Sequence, residues 1–526
     1  MTLIPYAVFC LIKFFCLTVL SSLFETIFDP VFHACVPSSH AGEIDAGPEI
    51  DPAIENDTAG EADSLESFGD IEGFDDDWEE DGKSGYYTWR MFIESDHTVA
   101  ADADLDAGDA NLKNEIRCRF ESRYGTDEMY LFAVPNLYML ATFLDSGMED
   151  DVPYTTDDKV YRNLRFSTET AELTLNELYA SRLWGSARIR IGNQIYGWGT
   201  ADSFNPTSYF NPFDLRELLF KDDDEIKVGV PSVSGLFFLD GFTLEAVWVP
   251  VHVPGILPSS GSFWAAKSVE GKYPLFFDEP DPLSVSPDHM GFGVRCASTF
   301  AGMDFSVSGY HGPDKEPVIL PERTVLQANQ PVGVLLVEDY SVVNMVGFDF
   351  SMNLDAFVVQ VEAVYSPDKS GFIRQVRDDV QNIEFPFDTE RSDYFSYSAG
   401  FNYFIPLGKL IEGHEGETVF TVEFAQSEYL DDDINPSFFT DLLSLRFQDS
   451  FFSGRLNTSV TAVIETGHGD SIFWPEVKWD FQNGLTLSLA YAVISGDNDG
   501  DWHDVSVFSY FDDNDVVMWR VRYEWQ

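Results

Sequence analysis

Along most of the chain, apolar and polar side chains alternate one for one. The last eleven residues, VVMWRVRYEWQ, show it most clearly. Val517, Trp519, Val521, Tyr523 and Trp525 share one parity, and Met518, Arg520, Arg522, Glu524 and Gln526 the other. A side-chain period of two belongs to a β-strand. The segment LKNEIRCRFESRY repeats the pattern, with Lys113, Glu115, Arg117, Arg119, Glu121 and Arg123 opposite Leu112, Ile116, Cys118, Phe120 and Tyr124. So does FSYSAGFNYF, with Tyr397, Ala399, Phe401 and Tyr403 opposite Ser396, Ser398, Gly400 and Asn402. Around Asn483-Gly484 two such segments face each other across the dipeptide most typical of a two-residue hairpin turn.

Segments of about ten residues are what a tilted strand needs to cross a bilayer. The pattern predicts eighteen of them, beginning at residue 86 and ending at 526, with 14–18 as the range. The sixth, 228–239, is placed because the alternation of connections requires it. Long connections (143–170, 251–289, 312–340, 367–393, 496–514) alternate with tight ones at Gly185-Ser186, Asp240-Gly241, Ala301-Gly302 and Asn483-Gly484. Long loops on one side and short turns on the other, with an even strand number, are the signature of an outer-membrane barrel. The fold class expected is therefore all-β, a transmembrane antiparallel β-barrel.

Charge strengthens this reading. The chain has 526 residues and a net charge of -59, with 90 acids against 31 bases. Nucleic acid is excluded as an electrostatic partner. Aspartate runs fall in the long connections, whereas Arg117, Arg119, Arg182, Arg188, Arg190, Arg295, Arg455, Arg520 and Arg522 fall on the polar parity of strands. Burying so many guanidinium groups in a dry sandwich core would be prohibitive, but a wet lumen accepts them. Glu115, Glu177, Glu245, Glu423 and Glu465 would line the same lumen.

Residues 1–41 read as a signal peptide. Lys13 precedes the apolar run Phe14 to Leu20, and a small-residue cleavage site ends at Ala41. Residues 42–85 carry seventeen acids and one lysine and read as a disordered acidic leader. Cys10, Cys16 and Cys35 would leave with the signal. Cys118 and Cys296 lie on apolar parities and read as small hydrophobes, not as a disulfide or metal site.

The least repetitive stretch is RIRIGNQIYGWGTADSFNPTSYFNPFDLRELLFKDDDEIKVGVPSV, residues 188–233. It opens as a strand with Arg188, Arg190 and Gln194 on the polar side and breaks at Gly197-Trp198-Gly199. Asn205-Pro206 and Asn211-Pro212 then favour turns. Asp214 is placed to cap a short helix over LRELLF. Irregular backbone at membrane depth is tolerated only inside protein or water. Residues 199–231 are thus expected to fold into the lumen as a constriction. Asp202, Asp214 and Glu217 would face Arg188 and Arg190, with Trp198, Asn205, Asn211, Arg216 and Glu245 alongside. Trp198 reads equally well as an interfacial belt residue.

This stretch, Gly192-x-Gln194-x-x-x-Trp198-Gly199, then Asn211-Pro212-x-Asp214, then Lys227 and Pro231 before a strand carrying Glu245, resembles a large porin-like family of Gram-negative outer membranes whose function is unassigned. The resemblance is close over roughly residues 170–260. It implies a monomeric barrel with an inward-folded segment, passing hydrophobic or bulky organic solutes. Asn193 stands where that family usually has a basic residue.

The leading functional expectation is an outer-membrane channel or transporter for passive passage of small or hydrophobic organic solutes. Its partners would be outer-membrane lipid, the solute and the barrel-assembly machinery. The alternatives are a structural or surface-interaction barrel with cation-binding acidic loops, or a secreted β-sandwich binding protein. No catalytic motif stands out, so an enzyme is not expected. No cofactor is expected beyond loosely bound Ca²⁺, for which Asp222, Asp223, Asp224, Asp431, Asp432 and Asp433 supply oxygen ligands without a complete EF-hand loop.

Overall fold

Eighteen antiparallel strands close on themselves, because the last one, Val516–Trp525, pairs with the first, Tyr86–Ala100, from Met91↔Trp525 to Ala100↔Val516. The others, in chain order, are Asn111–Gly125, Met129–Leu140, Ala171–Trp184, Ala187–Gln194, Val230–Leu239, Phe242–Val249, Gly291–Phe300, Met303–Pro313, Val342–Leu354, Phe357–Val376, Glu384–Ile405, Thr418–Tyr429, Asp441–Phe451, Leu456–Glu465, Ser471–Asp480 and Leu485–Ser495. Each pairs with its neighbours in sequence. A closed sheet leaves no edge, which is how strands satisfy their backbone groups in lipid. This is a computed structural model. It describes residues 86–101, 111–140, 164–167, 171–217, 220–221, 223–258, 263–264, 275–277, 289–327, 330–376, 384–409, 411, 414, 416–431, 434–435, 441–467, 469–496, 508–512 and 514–525. The signal and leader segments, and Asp222, Asp432 and Asp433, lie outside these. The secreted sandwich is ruled out by closure, and the inserted sixth strand is present as Val230–Leu239.

The period of two sorts side chains as lumen demands. In the second strand Lys113, Glu115, Arg117, Arg119 and Glu121 are all buried inside, while Cys118 is only half-buried and Tyr124 exposed on the outer face. Along the last strand Val521 and Tyr523 are exposed, whereas Arg522 bonds Glu94 at 2.7 Å within the lumen. Exposed apolar side chains recur around the wall, including Ile191, Trp248, Phe292, Val307, Val346, Leu489 and Tyr491. Val521→Arg should therefore destabilise the folded barrel by about 2–4 kcal/mol if the site is near mid-bilayer. Urea unfolding in lipid vesicles measures this; a cost near zero would mean that Val521 does not meet hydrocarbon.

On the strands from Asp441–Phe451 to Val516–Trp525 the inward face turns apolar toward the long connections. Val516 and Met518 are buried in a cluster with Leu442, Ile472, Ala492 and Ile494. Phe508 and Phe511, from the 3-10 turn Phe508–Phe511, pack into it, as do Phe220 and Trp264. Folded-in connections thus bury what would otherwise be an apolar lumen wall.

Four expectations change. The connection expected at 367–393 is largely strand, because Phe357–Val376 and Glu384–Ile405 continue as a tall hairpin past irregularities at Ser366/Lys369 and Ile373/Arg374. The connection at 312–340 holds a second hairpin, Val318–Gln327 with Gln330–Asp339, joined in parallel by Leu275–Phe277. Arg182 does not reach the lumen. Pro135 disrupts the ladder to the neighbouring strand, the register slips between Val134 and Pro135, and Asn176 is left as an extra residue. One extra residue inverts the parity beyond it, so Tyr179 and Ser181 point in and Arg182 points out, its guanidinium 5.1 Å from the Trp184 ring centroid. Arg455 lies in a tight turn and donates to Gln482 at 3.0 Å, outside the lumen.

Candidate functional site

After Gln194 the chain leaves the wall and returns only at Val230. The described residues between 195 and 229 lie within the barrel. Trp198, Thr207, Asn211 and Asp214 are at most 1% exposed, although none belongs to a wall strand. The segment is tied together locally. The Asn211 side chain accepts from Tyr196 N at 2.8 Å and donates to the carbonyls of Gln194 at 3.1 Å and Val228 at 2.8 Å, clamping entry to exit. Gly199 has φ +105, and a Cβ there would lie 2.2 Å from Asn205 Oδ1. Only glycine allows both that backbone and that contact.

One side of the segment is bound to the wall by charge. Lys113 bonds Glu217 at 2.8 Å and Asp96 at 3.0 Å. Arg117 pairs with Glu94 at 2.9 Å and with Glu225. Arg216 pairs with Asp214 at 2.6 Å and Glu172 at 3.2 Å, and Arg165 reaches the same two carboxylates at 3.3 and 2.7 Å. Lys221 bonds Asp214 at 2.6 Å, Arg520 sits 3.3 Å from Asp96, and Arg522 2.7 Å from Glu94. Seven cations here face seven carboxylates, counting Glu115, 3.7 Å from Lys113. Buried charges are tolerable only when matched in this way. Burial alone would raise the carboxyl of Asp214, but Arg216 and then Lys221 outweigh it and hold it well below its usual range. Burial likewise opposes ionisation of Glu217, but Lys113 and Lys221 together outweigh it, so this carboxyl too is lowered. For Lys221 burial prevails, and its ammonium group is lowered.

The opposite side is held by two carboxylates of the far wall. Glu423 accepts the backbone N–H groups of Asp202 and Ser203 at 3.0 Å each and of Phe204 at 2.6 Å. Glu362 accepts those of Thr200, Ala201 (2.6 Å) and Thr207 (3.2 Å), together with the Thr207 hydroxyl at 2.9 Å. Asp202 bonds Asn402 at 2.7 Å, and Ser203 bonds Ser444 at 3.2 Å. Between these anchors lies an aromatic knot. Trp198 donates to Glu245 at 2.7 Å and meets Phe210 edge-on at 4.9 Å, while Tyr209 stacks on Tyr310 at 5.5 Å and bonds Ser308 at 3.0 Å. Gly293 in the wall makes room for it, since a Cβ there would lie 2.4 Å from Phe210 Cζ. The segment therefore spans the lumen from wall to wall.

Of the residues expected at a constriction, Gln194, Trp198, Asp202, Asn205, Asn211, Asp214, Arg216, Glu217 and Glu245 all belong to this segment or its wall contacts. Trp198 is an interior residue, not a belt residue. Asp202, Asp214 and Glu217 do not face Arg188 and Arg190. Those arginines lie instead against Tyr130 and Tyr179, each 5.6 Å from a ring centroid. No helix forms over residues 215–217; a short one runs over Asp223–Ile226. The side chain of Asp214 closes on Arg216 in place of a cap. Asn193 donates to the carbonyls of Leu175 (3.0 Å) and Asn176 (2.7 Å), stapling the extra residue of the neighbouring strand. Glu362, Glu172, Glu225, Arg165 and Lys221 were not expected here. Glu362 and Glu172 have the polar parity of any lumen residue, and Arg165, Lys221 and Glu225 lie between wall strands, so only the path of the segment distinguishes them. Among the described residues no group of acids, histidines or cysteines is arranged to hold a metal.

Residues 136–525 match the model of a family described as a protein of unknown function, DUF1302. No curated protein matches the chain. Solved structures similar to it include OccAB3 of Acinetobacter baumannii (7% identity, 84% of this chain and 99% of that one, TM-score 0.43). The outer membrane protein OpdK of Pseudomonas aeruginosa (10%, 84% and 99%, 0.41) and OmpF of Salmonella typhi in complex with daunomycin (8%, 84% and 97%, 0.38) are others.

Proposed function

Because the chain belongs to the DUF1302 family, and because its inner segment narrows a closed barrel, we propose that it is an outer-membrane channel for passive passage of small organic solutes. The observation that carries this reading is the double anchoring of residues 195–229, by ion pairs on one wall and by Glu362 and Glu423 on the other. A purely structural barrel has no need of a segment fixed across its lumen, whereas a selective pore needs a constriction of defined shape.

The lumen is also polarised. Bases crowd the strands from Tyr86–Ala100 to Ala187–Gln194 and the last strand, while Asp349, Glu362, Glu423, Asp449 and Glu465 are buried on the strands from Val342–Leu354 to Leu456–Glu465. Opposed charges across a low-dielectric passage set up a transverse field that orients dipolar solutes. Outer-membrane lipid around the apolar belt, assembly by the barrel-assembly machinery and a monomeric state belong to the same reading. Any Ca²⁺ at the aspartate runs would be loosely held and peripheral to it.

Single-channel recording in planar bilayers tests the proposal. The folded chain should conduct, and Arg190→Gln should move the reversal potential toward that of cations, because the lumen then carries less positive charge. A folded barrel that gives no conductance would overturn the channel reading and favour a surface-interaction barrel.

A further inference from the structure

On the short-turn side of the segment's tip, the lumen holds two opposite charges that are not matched. Asp202 is exposed, and its carboxylate accepts from two neutral amides, Asn402 at 2.7 Å and Gln360 at 3.3 Å. Arg446 is exposed as well. It has the inward parity of its strand, two residues on from Ser444, which bonds Ser203 of the segment. The Gln448 amide, with its oxygen turned toward Arg446, accepts from Nε at 3.2 Å and Nη2 at 2.9 Å. Among the described residues neither Asp202 nor Arg446 has an ion-pair partner. The cations and carboxylates of the opposite wall, by contrast, are paired. The register sets the spacing. Thr421 pairs with Asn402 on one side and with Arg446 on the other, and Thr461 follows Arg446. Gln360, Thr421 and Arg446 each stand two residues nearer the short turns than Glu362, Glu423 and Ser444, which hold the tip. A polar strip therefore runs just below the anchors, with an acid toward one end and a base toward the other.

Asn402 and Arg446 stand two strands apart, a backbone separation of roughly 10 Å. The amides that hold Asp202 and Arg446 also keep them from closing on each other. A guanidinium suits a carboxylate, and a carboxylate suits an ammonium group. A solute that satisfies both carries the two charges a few ångströms apart. With one hydrogen bond of about 2.9 Å at each end, an α-amino acid bridges such a gap, and the amide and hydroxyl groups between take its remaining polar atoms.

We propose that Asp202 and Arg446, with Asn402 and Thr421 between them, form a binding site for zwitterionic amino acids on the short-turn side of the constriction. The site deepens the channel reading by naming a solute class and rests on that reading for the route by which solutes arrive, but not for the binding itself. A net charge of -59 repels anions, whereas a solute of zero net charge escapes that repulsion and is still oriented by the two fixed charges.

Titration calorimetry on the full chain folded in detergent tests this, with L-alanine, propionate and ethylamine as probes. Propionate is alanine without its ammonium group, and ethylamine is alanine without its carboxylate. Alanine should bind tighter than either by about tenfold or more. Asp202→Asn should bring alanine down to the level of propionate, and Arg446→Gln to that of ethylamine. Arg455→Gln, in a tight turn outside the lumen, should change nothing. Heat-modifiable gel migration checks folding. Should one variant fail to fold, the other variant and the ranking of the three probes on the unaltered chain still decide. No alanine binding, equal binding of propionate or ethylamine, or wild-type alanine binding in a folded variant would overturn the site. Alanine binding by a barrel that does not conduct would sink the channel reading alone, and conductance without alanine binding would sink the site alone.

Discussion

Replacing residues 203–225 with a short Gly-Ser turn should raise single-channel conductance several-fold while leaving the barrel folded. The replaced stretch includes Phe210, Asn211, Asp214, Glu217 and Glu225, which fill the lumen and supply most of the contacts to the charged wall. Strand pairing does not pass through it, since Ala187–Gln194 and Val230–Leu239 pair directly with each other. Lys113, Arg117 and Glu172 would lose partners, but water entering the opened lumen would solvate them. The penalty that attaches to unpaired buried charge falls away with the burial. Heat-modifiable migration reports the fold and planar-bilayer recording the pore. A folded deletion variant with wild-type conductance would show that the segment obstructs nothing.

Asp214→Ala should loosen the segment without breaking the barrel. This carboxylate holds Arg216 and Lys221 at 2.6 Å and Arg165 at 3.3 Å, and losing one partner of a buried ion pair costs roughly 3–5 kcal/mol. Wild-type Arg216 and Lys221 should resist trypsin in the folded barrel, and the variant should be cut there. Equal resistance would mean that the anchors on Glu362 and Glu423 suffice alone. The same site sets a pH dependence. The Asp214 carboxyl lies well below its ordinary value of 3.8. A lowered carboxyl stabilises the folded segment fully above the ordinary value and loses that contribution only as pH falls through the lowered one. Conductance should therefore be steady from neutral pH to about pH 4 as far as this group is concerned, with any Asp214-dependent loosening confined to stronger acid.

Much of this molecule is decided by patterns local in the chain. Strand parity depends only on the order of side chains, so the inward Lys113, Glu115, Arg117 and Arg119 and the outward Val521 and Tyr523 are legible without coordinates. The number of strands follows from the alternation of tight and long connections. The break after Gln194 and the two Asn-Pro pairs mark residues 195–229 as something other than a hairpin loop. Non-local geometry decides the rest. Arg182 turns outward because Pro135, on another strand, forces an extra residue at Asn176. Asp214 serves a buried ion cluster and no helix cap, because Arg216 and Lys221 close on it locally and Arg165, from the connection before the neighbouring strand, reaches it only once the segment lies in the lumen. Glu362 and Glu423 become anchors because the segment extends far enough to present its N–H groups to the far wall, about 160 and 220 residues away in sequence. Alternation along a strand tells a side chain which face it occupies, but its partner across a lumen is set by closure of the whole sheet.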